Sequence, residues 1–344
     1  MSDLTYNQGI YRAQDTVNAM VRAGRQFHVI TDDWHLPSFE QAVGRWARAA
    51  AAVSRWRRLK VAILGYAMNG MGDIRTLGPQ IDSIAPGELV RAAAAVDAVA
   101  VADLIAEENE PFEVDARLSS VEREDHVRMQ LGLERILIEG GYGAYSTHFG
   151  AIAEDGRLLR LPLAAASSLM AKGHGFSAEG DGLTAALMSA AQNLIGETQF
   201  TEMYAMDFTR GAFLVSHMGE GKWALVRDDE RVKLIKRPLG IGGLDDPPTF
   251  FFRYRVGAGT LATLVALGDE RFRLVVSEGE SLDSDELPGL EMPYGFFKPD
   301  TGLLACIDGW VQSGGPHHQV INLGRREAEW RLFSEAAGIE MVLV

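Results

Sequence analysis

Two kinds of apolar periodicity divide the chain. Up to about residue 195, apolar positions recur at helical spacing, interrupted by short apolar stretches. Residues 11–23 (YRAQDTVNAMVRA) place Val17, Met20 and Val21 at helical spacing and end at Gly24, which predicts a helix. FHVIT at 27–31 predicts a short strand. Ser38 is placed to cap a helix through Phe39, Val43, Trp46, Ala50 and Val53. KVAILGY at 60–66 predicts a buried strand followed by the glycine-rich turn NGMGD. The stretch 87–107 reads as a helix, with a short strand competing around Val96–Val101, and a long helix covers 119–139 before Gly140 and Gly141. Strands alternating with helices predict a parallel sheet with helices on its faces.

The texture then changes. AFLVSHM, WALVRD, VKLIKRP, TFFFRYRV, GTLATLVAL and RFRLVVSEGE are short apolar runs separated by Gly, Pro and Asp turns, the pattern of an antiparallel sheet or barrel. A helix at 325–337 stops at Gly338, and IEMVLV closes as a strand. The predicted class is α/β: a Rossmann-like parallel-sheet domain followed by a mostly antiparallel, β-barrel-like domain. The expected divisions are 1–57, 58–195 and 196–344. The first segment has two helices and only one convincing strand. One strand makes no sheet, so the segment reads as the tail of a preceding α/β domain.

Composition narrows the function. Acidic residues outnumber Lys and Arg by 47 to 33, a net charge of −14, which argues against a nucleic-acid surface. Cys306 is the only cysteine, so any metal site must use His, Asp and Glu. It lies in the apolar run GLLACIDGW and reads as an inert core thiol. No apolar run reaches membrane-spanning length and the start lacks a signal-peptide pattern, so a cytoplasmic location without a membrane partner is expected. GYAMNGMGD (65–73) follows a strand but has neither GxGxxG nor Gly-Lys-Ser/Thr, and no GxSxG occurs.

Four segments carry candidate chemistry. In GHGFSAEGD (173–181), Glu179 sits between Ala178 and Gly180 with little shielding; the structural alternative is a carboxylate capping a helix that starts near Leu183. In TQFTEMYAMDFTRG, strand alternation puts Phe200, Glu202 and Tyr204 on one face, and a carboxylate between aromatics needs a partner or a metal. Asp207 reads as a structural turn residue. His217 ends the run AFLVSH, with Glu220 after it as a surface acid. GGPHHQVIN sets a turn before paired histidines, and strand alternation lets only one of His317 and His318 face a given site. Two glutamates and two histidines suit a hard-to-borderline dication such as Mn²⁺.

Taken together, these segments resemble the active-site segments of the L-arabinose isomerase family, and more distantly L-fucose isomerase: FSAEGDGLTAAL, FTEMYAMDF, LVSHMGE and SGGPHHQV, in that order. RPLGIGG, RFRLVV and AGIEMVLV resemble the family's carboxy-terminal domain, and TYNQG to about Trp56 resembles the end of its first domain, most of which has no counterpart here. The resemblance implies metal ligands at Glu179, Glu202, His217 and His318, with the two glutamates also the acid/base pair. It implies substrate contacts at Gln8, Phe149 and His317, while Tyr11 stands where the family carries a substrate-side histidine. The implied activity is aldose–ketose isomerisation of a pentose or related sugar through a cis-enediol, with Mn²⁺, or else Co²⁺ or Mg²⁺. A homo-oligomer, trimer or hexamer, is implied too. A non-catalytic sugar- or metal-binding remnant and a related metal-dependent epimerase are the alternatives.

Overall fold

The computed structural model describes residues 9–71, 78–268 and 271–344. Helices α1 (Gly9–Arg22) and α2 (Pro37–Trp56) come first. Between them residues 27–31 form no strand: they pair with no strand among the described residues, and Phe27 and Val29 are exposed. Nor does Ser38 cap α2; the helix starts on Pro37, whose missing N–H suits a first turn, after Leu36. Ala49, Ala52, Val53 and Trp56 bury one face of α2.

Strands β1 (Lys60–Leu64) and β2 (Gln80–Ile84) are followed by α3 (Pro86–Ala94) and α4 (Ala98–Asn109). The competing strand at 96–101 is absent because Asp97 caps α4, its carboxylate accepting from Val99 N–H at 2.6 Å. Next come β3 (Glu113–Val114), α5 (Ser120–Gly140), β4 (Ala144–Thr147), α6 (Phe149–Asp155), α7 (Leu163–Ala171), β5 (Gly175–Ala178) and α8 (Gly182–Leu194). Helix α5 carries the strongest local signals, a Ser119–Glu122 capping box and a left-handed Gly141 stop. The order β2-β1-β4-β5 makes a parallel sheet.

The remaining strands are β6 (Thr198–Asp207), β7 (Ala212–Ser216), β8 (Lys233–Lys236), β9 (Pro248–Phe251), β10 (Gly257–Leu267), β11 (Arg271–Leu282), β12 (Tyr294–Pro299), β13 (His318–Leu323) and β14 (Glu340–Leu343). Helix α9 (Leu303–Gln312) precedes β13, and α10 (Glu327–Ala337) precedes β14. The sheet runs β10-β13-β6-β7-β12-β11 and returns to β10, a closed antiparallel barrel with β14 added in parallel on β11. WALVRD is not a strand: Trp223–Leu225 form a 3₁₀ turn, and Trp223 packs edge-on against Phe112. Cys306 is buried, as its apolar run predicts. No described helix is long and apolar enough to cross a membrane.

One core cluster spans the parallel sheet and the barrel. Phe176 of β5 meets Phe200 of β6 edge-on at 5.6 Å, and α8 lies between the two strands in the chain, buried along most of its length. The carboxyl edge of the parallel sheet is thereby fixed against one part of the barrel wall, and the candidate residues lie at that junction.

Candidate metal centre

Strand pairing assembles most of the site. Glu202 of β6 lies opposite His318 on β13 and opposite Ser216 on β7, so His217, the next residue, leaves the barrel beside Glu202. Glu179 arrives from the other side, as the first residue past β5. Gln8 lies outside the described residues.

The side chains converge. His318 Nε2 is 3.5 Å from Glu202 Oε1 and 3.9 Å from Glu179 Oε2, and His217 Nε2 is 3.9 Å from Glu202 Oε1. Donor atoms of Glu202, His217 and His318, and separately those of Glu179, His317 and His318, lie within 4.8 Å of one another, the spacing of groups able to share one ion. Phe200 floors the site, its ring 4.6 Å from that of His217 and 5.0 Å from that of His318.

His317 also reaches in, 3.2 Å from Glu202 and 3.7 Å from Glu179, although its ring is half exposed. The alternation argument therefore fails here. β13 begins only at His318, so His317 belongs to the turn and both rings can face the same carboxylates. Pairing with Glu179 raises the His317 pKa, and the same pair lowers that of Glu179.

Two acids stand behind the imidazoles. Asp181 Oδ2 is 2.9 Å from His318 Nδ1, and its Oδ1 accepts the Thr184 N–H that opens α8. The helix cap assigned to Glu179 as a structural alternative is thus Asp181, which leaves Glu179 free for chemistry. Glu220 is buried rather than on the surface, with Oε2 2.6 Å from His217 Nδ1. Burial is the largest influence and opposes the charge on His217, but Glu220, with Glu202 and Glu179 behind it, outweighs burial and the pKa rises. Burial likewise opposes the charge of Asp181, and His318 reverses it, so that pKa falls. The loop carrying Glu220 is pinned by Gly221 N–H to Ser167 Oγ at 3.1 Å and by Lys222, whose Nζ donates to Gln192 Oε1 and Gly196 O.

The donor set fits a divalent cation. His217 and His318 each have Nδ1 held by a carboxylate, which turns Nε2 towards the site, the usual arrangement behind metal-bound histidine. His318 Nε2 is sealed from solvent and has no hydrogen-bond partner among the described residues. Left so, a buried polar atom costs about 1–3 kcal/mol; an ion would satisfy it. Glu179 is also the one described non-glycine residue in the left-handed region, φ +60°. Such backbone costs roughly 1–3 kcal/mol and gathers at functional sites. Gly180 beside it cannot be replaced, since a Cβ there would fall 2.3 Å from Tyr66 O.

Comparison with known proteins decides the family. Residues 70–197 match the L-arabinose isomerase central domain and 197–340 the L-arabinose isomerase C-terminal domain. L-arabinose isomerase from Yersinia pseudotuberculosis serotype O:1b (strain IP 31758) is 32% identical over 367 residues, covering 100% of this chain and 72% of the relative. The L-arabinose isomerase of Yersinia pestis (strain Pestoides F) matches with the same identity and coverage. The chain belongs to the L-arabinose isomerase family. It is a sugar isomerase in class, and its Glu/His cluster could hold a metal ion.

Phe149 opens α6 and stacks on His148 at 5.6 Å, not on the imidazoles of the cluster. Tyr11 is exposed on α1. Asp207 is the turn residue expected, accepting from the backbone N–H of Thr209 and Arg210. Asp181 and Glu220 were not legible as partners of the histidines. Their only local signals are a D-x-x-T start before a helix and an acid three residues past His217.

Proposed function

We propose that this chain is a divalent-metal-dependent aldose–ketose isomerase acting on a pentose or related sugar through a cis-enediol. The observation that supports it most is the convergence of Glu179, Glu202, His217 and His318, two of them with a carboxylate behind the ring, in a chain of this family. Glu179, Glu202, His217 and His318 would hold the cation, with Mn²⁺ preferred and Co²⁺ or Mg²⁺ as alternatives. A cation there supplies electrostatic stabilisation of negative charge on neighbouring sugar oxygens.

The rest is proton traffic. Isomerisation moves a proton between C1 and C2, and one glutamate takes the carbon-bound proton while the other serves the hydroxyl. His317, half exposed and between both carboxylates, faces the substrate side. Gln8 and Phe149 complete the proposed substrate contacts. A panel of aldopentoses and aldohexoses with Mn²⁺ tests this reading. The expected result is ketose formation from at least one sugar, lost on adding EDTA and restored by Mn²⁺; no turnover of any sugar would remove it.

Assembly into a homo-oligomer belongs to the same reading. Ile10, Val21, Val29 and Trp34 are exposed apolar residues of the first segment, which another copy of the chain would cover. Light scattering at micromolar concentration should give a mass of at least three chains, and a monodisperse 37.5 kDa species would contradict it.

A further inference from the structure

The carboxyl edge of the parallel sheet brings a second residue alongside Glu179. Leu64, Thr147 and Ala178 lie abreast across β1, β4 and β5. The first residues past those strands are therefore Gly65, His148 and Glu179. In an open parallel sheet this edge is where ligands bind. His148 is fixed there on several sides. Its backbone N–H donates to Leu64 O, and its ring lies against that of Tyr66 at 4.4 Å and that of Phe149 at 5.6 Å. Tyr66 in turn abuts the Glu179–Gly180 turn, where Met68 N–H donates to Glu179 O.

One ring nitrogen has a settled role. His148 Nδ1 accepts the Ala151 backbone N–H at 2.9 Å and caps α6. A nitrogen that accepts from a backbone N–H carries no proton, so in the neutral ring the proton is on Nε2. Nε2 makes no hydrogen bond to a described residue, and it is not among the polar atoms sealed from solvent. Burial is the largest influence and pushes the imidazole down, against a backbone hydrogen bond, Glu154 and Glu179, which act the other way. The cap acts in the same direction, because a protonated Nδ1 would confront the Ala151 N–H.

We propose that His148 is a substrate-binding residue whose Nε2–H donates to an oxygen of the sugar held beside Glu179. It rests on the isomerase reading above and adds to it an uncharged donor at the sheet edge beside Glu179. Glu179, Glu202 and Glu220 can only accept when ionised. Sugar hydroxyls both donate and accept, so the accepting lone pairs of an open-chain sugar need donors, and His148 Nε2 supplies one.

His148→Asn tests this, because Asn at an N-cap still accepts a backbone N–H while the distal donor is lost. Wild type and H148N, both loaded with Mn²⁺, are titrated calorimetrically with the linear pentitol L-arabitol, and metal-stripped samples of each with Mn²⁺. The expected result is unchanged Mn²⁺ affinity with L-arabitol binding weakened roughly fivefold to tenfold, the worth of one neutral hydrogen bond. L-arabitol binding at wild-type strength overturns the proposal. So does a parallel loss of Mn²⁺ affinity, which would show that His148 merely supports Glu179. If wild type binds Mn²⁺ but no L-arabitol, the proposal falls, while the isomerase reading stands or falls separately on turnover of the sugar panel.

Discussion

Glu202→Gln is expected to lower kcat by about 10²–10⁴, the range that a positioned acid/base group contributes. The substitution preserves shape and leaves an oxygen able to accept. What disappears is the capacity to take a proton from carbon or from a hydroxyl. Folding should survive, because Glu202 is held by the β6–β13 and β6–β7 ladders and its side chain lies in the cluster, not the core. Steady-state kinetics on the sugar turned over fastest, with a circular-dichroism melt as a folding control, makes the measurement. A kcat within tenfold of wild type in a folded, metal-loaded variant would sink the assignment of Glu202 as acid/base.

Glu220→Gln is expected to weaken Mn²⁺ binding by about 10–100-fold, although Glu220 need not touch the ion. The amide oxygen of the substituted side chain could still accept from His217 Nδ1, so the ring would stay oriented. The negative charge that makes the imidazole a better donor would be gone. Asp181→Asn should do the same through His318, and it is a clean comparison because Asn also caps α8 in place of Asp181. Calorimetric titration of the metal-stripped variants reads both. Wild-type affinity in both would mean that the buried carboxylates act on packing alone.

The fold was legible where local signals agree with tertiary needs. The long helical pattern at 119–139 and its glycine stop marked α5, and the short apolar runs separated by turns after residue 195 marked an antiparallel sheet or barrel. The failures share a cause. FHVIT and WALVRD have strand composition, but a strand exists only if a partner lies beside it, and no partner is encoded locally. Strand β5 escaped notice for the opposite reason: Gly175–Ala178 is four residues, too short for a periodic signal. At the site, residue type and family resemblance named the two glutamates and three histidines that converge. They did not give the carboxylates behind them. Glu220 looks like any acid after a strand, and only the packing of Gly221 against Ser167 and of Lys222 beneath α8 buries it. Paired histidines looked like opposite faces of one strand until the boundary fell between them.

Glu179, Glu202, His217 and His318 are proposed to form one metal centre. A crystal grown with Mn²⁺, with data collected at a wavelength where manganese scatters anomalously, tests that directly. The expected result is a single strong anomalous peak about 2.0–2.3 Å from a carboxylate oxygen of each glutamate and from Nε2 of both histidines. A peak that leaves out either glutamate or either histidine, or no peak at the junction of the sheet and the barrel, would contradict it.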